Sequence, residues 1–243
     1  MQSAITNGLL AALPPVIHDR LTPHLSRVRL DAGDILYDIG AATEHAWFVT
    51  DGIVSLLSVT EAGDTVEAAM IGRDGAIGYP GIPRKNGAAF QARVQVAGEA
   101  LRISAKALRT AVEQERGLSD LLLNYAHTLS EQIAQSLVCT RFHPREQRLA
   151  RWLLLARDRM RSEAFTLTHD AFGQIFGLSR SGVSAAAGVL QKQKLIHYSR
   201  GHLMILDGEG LNAAACECYR TLRQALNLYH PSAPSTAHPS KTD

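Results

Sequence analysis

The sequence predicts an α+β protein in three parts: an N-terminal antiparallel β-domain (a roll, sandwich or barrel), a long central helix, and a C-terminal pair of helices followed by a hairpin. Three observations predict it. Short apolar runs alternate with glycines between residues 21 and 104, a heptad-like seam runs from Leu118 to Cys139, and two helical stretches flank Gly177-Leu178-Ser179. The 243 residues suit one large domain or two modest ones, and a 46% hydrophobic fraction is enough for real cores.

Residues 1–20 read as a short lead-in helix broken by Pro14-Pro15. Glycines 33, 40, 52, 63, 72, 75 and 78 then punctuate strand-length runs such as Trp47-Phe48-Val49 and Ile53-Val54-Ser55-Leu56-Leu57. Turn residues every 8–12 positions mark an antiparallel roll, sandwich or barrel over 21–104. From 105 to 141 the spacing becomes helical. Leu118, Leu122, Tyr125, Leu129, Gln132, Ser136 and Cys139 step by four and three. That seam predicts pairing with the same helix of a second copy; packing on its own domain is the other reading. His143-Pro144 ends the helix, since proline sits best in the first turn of the next. Leu149, Trp152, Leu153, Ala156 and Met160 line one face of that next helix, and its arginines lie mostly off it. Residues 211–228 read as a C-terminal helix, and the polar, proline-rich residues 229–243 as a disordered tail.

Residues 142–210 carry the most specific pattern. Thr168 can cap a helix that presents Ala171, Phe172, Ile175 and Phe176, and Gly177 ends it. Ser179 caps a second helix carrying Val183, Ala187 and Leu190. Two helices joined by a three-residue turn are a helix-turn-helix. Residues 195–198 and 203–206, joined at Ser199-Arg200-Gly201-His202, form a hairpin directly after it, which makes the motif winged. In this arrangement the first helix holds the second against the major groove of DNA. The base-reading candidates are therefore Arg180, Ser181, Ser184 and Ala185. An arginine there can pair bidentately with guanine, worth about 1–3 kcal/mol of discrimination. The serines can meet bases or phosphates, and Ala185 a thymine methyl. Candidates for phosphate contact are Thr168, Ser179, Lys192, Lys194 and Arg200, with plain solvation the alternative for the lysines.

Charge agrees in direction. Residues 1–113 hold 10 Lys and Arg against 12 Asp and Glu, net −2, whereas 141–204 hold 11 against 4, net +7. A basic half beside an acidic one fits a polyanion partner for the basic half, or a solvated charged face.

The stretch FGQIFGLSRSGVSAAAGVLQKQKLIHYSRGHLMIL, Phe172 to Leu206, resembles the winged helix-turn-helix of the Crp/Fnr family, named for the cyclic-AMP receptor protein and the fumarate-nitrate reduction regulator. AGDILYDIG, FVTDGIVSLL and GRDGAIG resemble its cyclic-nucleotide-binding roll. The resemblance covers about residues 21–210. It implies a homodimer with a long dimerising helix, for which the seam offers Leu118, Leu122, Tyr125, Leu129 and Ser136, that binds a near-palindromic operator as a transcription regulator. The lack of an apolar run of about 20 residues and of an export signal puts the expected location in the cytoplasm. The expected partners are double-stranded DNA, a second copy of the chain and RNA polymerase, with no membrane. Arg180 takes the place of a base-reading arginine. Ser181 replaces the acidic residue that commonly follows it, and Ala185 an arginine often found later, so neither namesake's operator carries over.

In the family's cyclic-nucleotide pocket a Gly-Glu step and an Arg-Ser or Arg-Thr pair hold the phosphate. Here those places read Gly75-Ala76-Ile77-Gly78 and Phe90-Gln91-Ala92-Arg93-Val94. Phe90 stands where the cation belongs, and a buried phosphate without it is undercompensated. Arg93 would serve only after a register slip that reverses its face. Cyclic AMP and cyclic GMP are not expected, and the effector stays unassigned. Ile53, Leu56, Ile77, Gly78, Tyr79, Phe90, Gln91 and Val94 either line an effector pocket or simply fill the roll. The signal is then a different one, or the roll is degenerate and control lies in abundance or a partner.

Cys139, Cys216 and Cys218 are the three cysteines. No cluster precedes Cys139, so an iron–sulfur centre is not expected. Their spacing matches no zinc motif, and the expectation is three reduced thiols with no metal. No nucleophile–base pair or phosphate-binding loop points to an enzyme.

Overall fold

The computed structural model describes residues 7–78 and 87–227. Helices α1 (Gly8–Ala11) and α2 (Pro15–Leu21) and a short 3-10 turn lead into the roll. Its strands are β1 (Ser26–Leu30), β2 (Ile35–Tyr37), β3 (His45–Val59), β4 (Thr65–Ile71), β5 (Ala76–Ile77) and β6 (Gln91–Ser104). They pair antiparallel in the order β1-β6-β3-β4, with β2 on β6 and β5 on β3. Gly52 lets β3 bulge against β6: its φ is +85°, and a Cβ there would meet the Val96 carbonyl at 2.6 Å. Trp47, Val49, Val54, Leu56, Ile71, Ile77, Ala92 and Val94 fill the interior.

Helices α3 (Ala105–Gln114) and α4 (Arg116–Phe142) follow the roll. The α4 seam faces its own roll, not a second copy. Leu118, Leu122 and Tyr125 join the core beneath α1 and α2. Leu129 packs on the roll interior and Ser136 is buried. The Tyr125 hydroxyl donates to the Ala76 carbonyl and accepts from its amide, at 3.0 and 3.1 Å. The polar seam position Gln132 donates to the Met70 carbonyl at 3.0 Å. The assignment of Leu118, Leu122, Tyr125, Leu129 and Ser136 to a dimer seam is therefore corrected. The side of α4 that stays open carries Leu123 and Leu137, 60% and 70% exposed, with Val138 and Phe142.

Helix α5 (Arg145–Met160) is buried on nearly every side from Arg148 to Ala156. Trp152 is fully buried and meets Phe165, Phe172 and Phe176 edge-on. Three arginines read as solvent-facing are buried instead. Arg148 donates to the Phe176 carbonyl at 3.2 Å, Arg151 is enclosed, and Arg159 pairs with Asp74 and donates to Gln132 at 2.9 Å. Part of the basic excess thus serves the interior, which offsets charge rather than presenting it.

Strand β7 (Ala164–Thr166) enters the reading head, made of α6 (His169–Phe176), α7 (Arg180–Lys192), β8 (Ile196–Ser199) and β9 (His202–Ile205). The hairpin sheet runs β7-β9-β8. The head packs directly on the roll. Ile53, Met70 and Val96 share one core with α5, α6 and α7, and the Thr65 hydroxyl donates to the Gln174 carbonyl at 3.1 Å. The single C-terminal helix expected at 211–228 is two, α8 (Gly208–Ala214) and α9 (Cys218–Asn227), with Cys216 in the break. The tail at 229–243 lies outside the described residues. Among those residues, no helix is long and apolar enough to cross a membrane.

Candidate nucleic-acid interface

Local chemistry builds the reading head. Thr168 Oγ1 accepts from the Ala171 amide at 3.1 Å and caps α6. Gly177 closes that helix at φ +62°, where an L side chain would be strained. Ser179 Oγ caps α7 through the Gly182 amide at 3.3 Å. Thr168 Oγ1 is used as an acceptor, which leaves its hydroxyl proton to an anion, while Ser179 Oγ also shares a hydrogen bond with Ser181 Oγ at 3.0 Å. Leu190, Val183 and Ala187 face inward, and the opposite side of α7 is open. Arg180, Ser181, Ser184 and Ala185 all lie on that open side. Val189 continues it at 40% exposed, as does Lys192. Val189 is an addition that its spacing of four from Ala185 and three from Lys192 could have supplied.

The Arg180 guanidinium is 80% exposed and sits on the Asp170 carboxylate, with Nε–Oδ1 3.0 Å and Nη2–Oδ2 3.2 Å. An exposed pair of this kind is worth about 0–1 kcal/mol, so it positions the side chain without locking it away from a base. Ser184 Oγ contacts His169 Nε2 at 3.4 Å, and that ring packs on Tyr198 with centroids 5.0 Å apart. Sequence reasoning missed Asp170 and His169, since neither carries a motif of its own. The wing turn is a two-residue loop with Arg200 at φ 51° and Gly201 at φ 82°, the mirror-image turn that matches strand twist. It holds Arg200 exposed at the tip, while Lys194, at φ 59°, is exposed just beyond α7.

The candidate effector residues do not converge. Leu56, Ile77 and Val94 are core filling of the roll, with Phe90 half-buried against them. Ile53 points the other way, into the core shared with Trp152, which corrects its placement in a pocket. Gln91 donates to Asp38 at 3.1 Å on the exposed rim. Gly78, at φ +71°, makes a tight turn beside Trp47. Tyr79 lies outside the described residues. At the phosphate place the Ala76 amide is taken by Tyr125, and strand alternation puts Arg93 opposite the inward Ala92 and Val94. These residues do not fit a cyclic nucleotide.

One group was not foreseen. Cys139, His143, Cys216 and Cys218 come together at the junction of α4, α5 and α9, with their ligand atoms all within 4.8 Å of one another. The three cysteines are free thiols, and although their sequence spacing matches no zinc motif the fold brings them to one histidine. The hydrogen bond shared with Cys216 pulls the Cys139 thiol below its ordinary value, with help from Arg151, while Cys216 itself is pushed up.

A β-roll joined to an exposed, capped helix-turn-helix with a wing defines a DNA-binding transcription regulator rather than an enzyme. Two family models match in tandem: the cyclic nucleotide-binding domain over residues 27–115 and the Crp-like helix-turn-helix domain over 147–214. The chain belongs to the Crp/Fnr family of transcription regulators. Solved structures share its fold. A Crp/Fnr-family regulator from Eubacterium rectale is 14% identical, with TM-score 0.65, covering 85% of this chain and 96% of that one. FixK2 from Bradyrhizobium japonicum is 13% identical, with TM-score 0.66 and coverage of 79% and 98%. The c-di-GMP-responsive global regulator CLP of Xanthomonas campestris is 15% identical, with TM-score 0.62 and coverage of 79% and 99%. No curated protein matches the sequence.

Proposed function

We propose that this regulator acts in the cytoplasm as a homodimer that reads a near-palindromic operator and answers to a signal other than a cyclic nucleotide. The observation that carries the reading is the open face of α7. Arg180, Ser181, Ser184 and Ala185 sit there side by side, backed by capped helix ends and flanked by Lys192 and Arg200. Arg180, Ser181, Ser184 and Ala185 take the bases. Thr168, Ser179, Lys192, Lys194 and Arg200 take the phosphates. Pairing through the open side of α4, at Leu123 and Leu137, would set two heads one helical turn apart, about 34 Å. Bound beside a promoter, such a dimer would act on RNA polymerase.

A filled roll interior also supports a second reading, in which the roll holds no ligand and control comes from abundance or a partner. Selection of genomic DNA fragments by the purified chain, with and without a small-metabolite extract, tests both. An enriched inverted repeat supports the operator reading. Dependence on extract selects the ligand-sensing roll, and indifference selects the filled one. No enrichment under either condition contradicts the assignment of α7.

A further inference from the structure

The structure assigns a second site: we propose that Cys139, His143, Cys216 and Cys218 hold one zinc ion that staples the C-terminal helix to the hinge between the roll and the reading head.

The spacings suit a single tetrahedral ion. Zn–S bonds of about 2.3 Å and Zn–N bonds of about 2.0–2.1 Å put ligand atoms roughly 3.8 Å (S to S) and 3.6 Å (S to N) apart. Here the Sγ atoms of Cys139 and Cys216 are 3.6 Å apart, and Cys218 Sγ lies 3.5 Å from His143 Nδ1. The sulfurs are not bonded, since a disulfide needs about 2.05 Å. Four donors packed this closely leave room for one ion and none for a multi-iron cluster.

Each donor has a reason to be where it is. Cys139 lies in the last turn of α4 and His143 is the extended residue that caps it, its amide bonded to the Cys139 carbonyl at 3.2 Å, so the two stand one turn apart. Cys216 sits in the break before α9, and Cys218 is the first residue of that helix, where the peptide dipoles favour a thiolate. The surroundings supply the outer layer that zinc sites use. His143 Nε2 faces Glu217 Oε1 at 3.2 Å, which orients the ring with Nδ1 toward the sulfurs. Gln135 Nε2 donates to Cys218 Sγ at 3.0 Å. Three thiolates and a divalent ion leave one negative charge. The enclosed Arg151, whose Nε has no hydrogen-bond partner, stands beside Cys139 and Cys218 to balance it. A closed Cys3His set with no open position is a structural arrangement rather than a catalytic one. The cysteines reach it from parts of the chain 77 residues apart, so the ion would fix the angle at His143-Pro144.

The test uses the full chain, untagged and kept reduced. Metal analysis should find one zinc per chain as purified. After stripping, cobalt(II) titration should give intense thiolate charge-transfer absorption and the strong visible bands of a tetrahedral site, saturating at one equivalent. Glu217→Gln changes an exposed carboxylate and should weaken zinc by about 10–100-fold with the fold intact. Cys216→Ser should lose zinc and part of the charge-transfer intensity; if it does not fold, Glu217→Gln carries the test. A metal-free chain whose cobalt titration shows no thiolate absorption overturns the proposal. So does a Cys139–Cys216 disulfide in place of bound metal, or zinc affinity unchanged in Glu217→Gln.

Discussion

Arg159 of α5 and Asp74 of the roll form a buried ion pair, with the arginine Nε 3.1 Å from the carboxylate Oδ1 and side chains only 3% and 11% exposed. The same guanidinium donates to Gln132 of α4 at 2.9 Å. One side chain therefore joins the roll, the long helix and the reading head's supporting helix. Removing one partner of such a pair leaves a buried charge uncompensated. Arg159→Leu is expected to cost about 3–5 kcal/mol of unfolding free energy, and Arg159→Leu with Asp74→Leu to recover part of it. Denaturant unfolding of the two single variants and the double variant measures the coupling.

Arg180→Ala should relax preference at one base position in each half-site, at a cost of about 1–3 kcal/mol for the preferred base. Binding measured across single-base operator variants distinguishes this from a phosphate contact, which would weaken every sequence alike.

Lys192→Ala and Arg200→Ala should weaken all sequences uniformly. Each lost phosphate contact should flatten the slope of log affinity against log salt by about one. An unchanged slope would remove that residue from the interface.

Glu67 of β4 accepts from Trp152 Nε1 at 3.0 Å and from the Ser55 hydroxyl. Burial of its carboxyl head pushes its pKa up, against the pull of Ser55, Arg151, Trp152 and Arg159. A folded-state pKa above the unfolded one means the folded chain binds the proton more tightly. That contribution is present below the unfolded value and is lost as pH rises through the folded one. Glu67→Gln keeps the shape without the charge, so it should raise the melting temperature more at pH 7 than at pH 4. An equal change at both would place the carboxyl in a solvated environment.

Leu137→Asp, on the open side of α4, should shift the chain toward monomer in sedimentation while leaving its melting curve nearly unchanged. Leu122→Asp, under the roll, should instead unfold it. Dissociation by neither would move the pairing surface off α4.

The reading head was legible in the sequence because its determinants are local. Thr168, Gly177, Ser179 and the Arg200-Gly201 turn each act on residues within a few positions. The seam of α4 was legible as a helix but not in its direction. A repeat of four and three says that one side is covered, not by what, and the partners of Gln132 and Tyr125 are Met70 and Ala76, more than forty residues away. The buried arginines of α5 were misread for the same reason, because Asp74 and the Phe176 carbonyl that receive them come from other parts of the fold. The cysteine group is the extreme case: neither half has a recognisable spacing alone.

The core that Ile53, Met70 and Val96 share with Trp152 limits how freely this chain can be recombined. A roll transplanted from a relative would bring its own residue opposite the indole N–H. Unless that residue accepts a hydrogen bond as Glu67 does, the graft leaves a buried donor unpaired, about 1–3 kcal/mol worse than the parent. Roll and reading head are separate in sequence, yet they exchange as a matched pair.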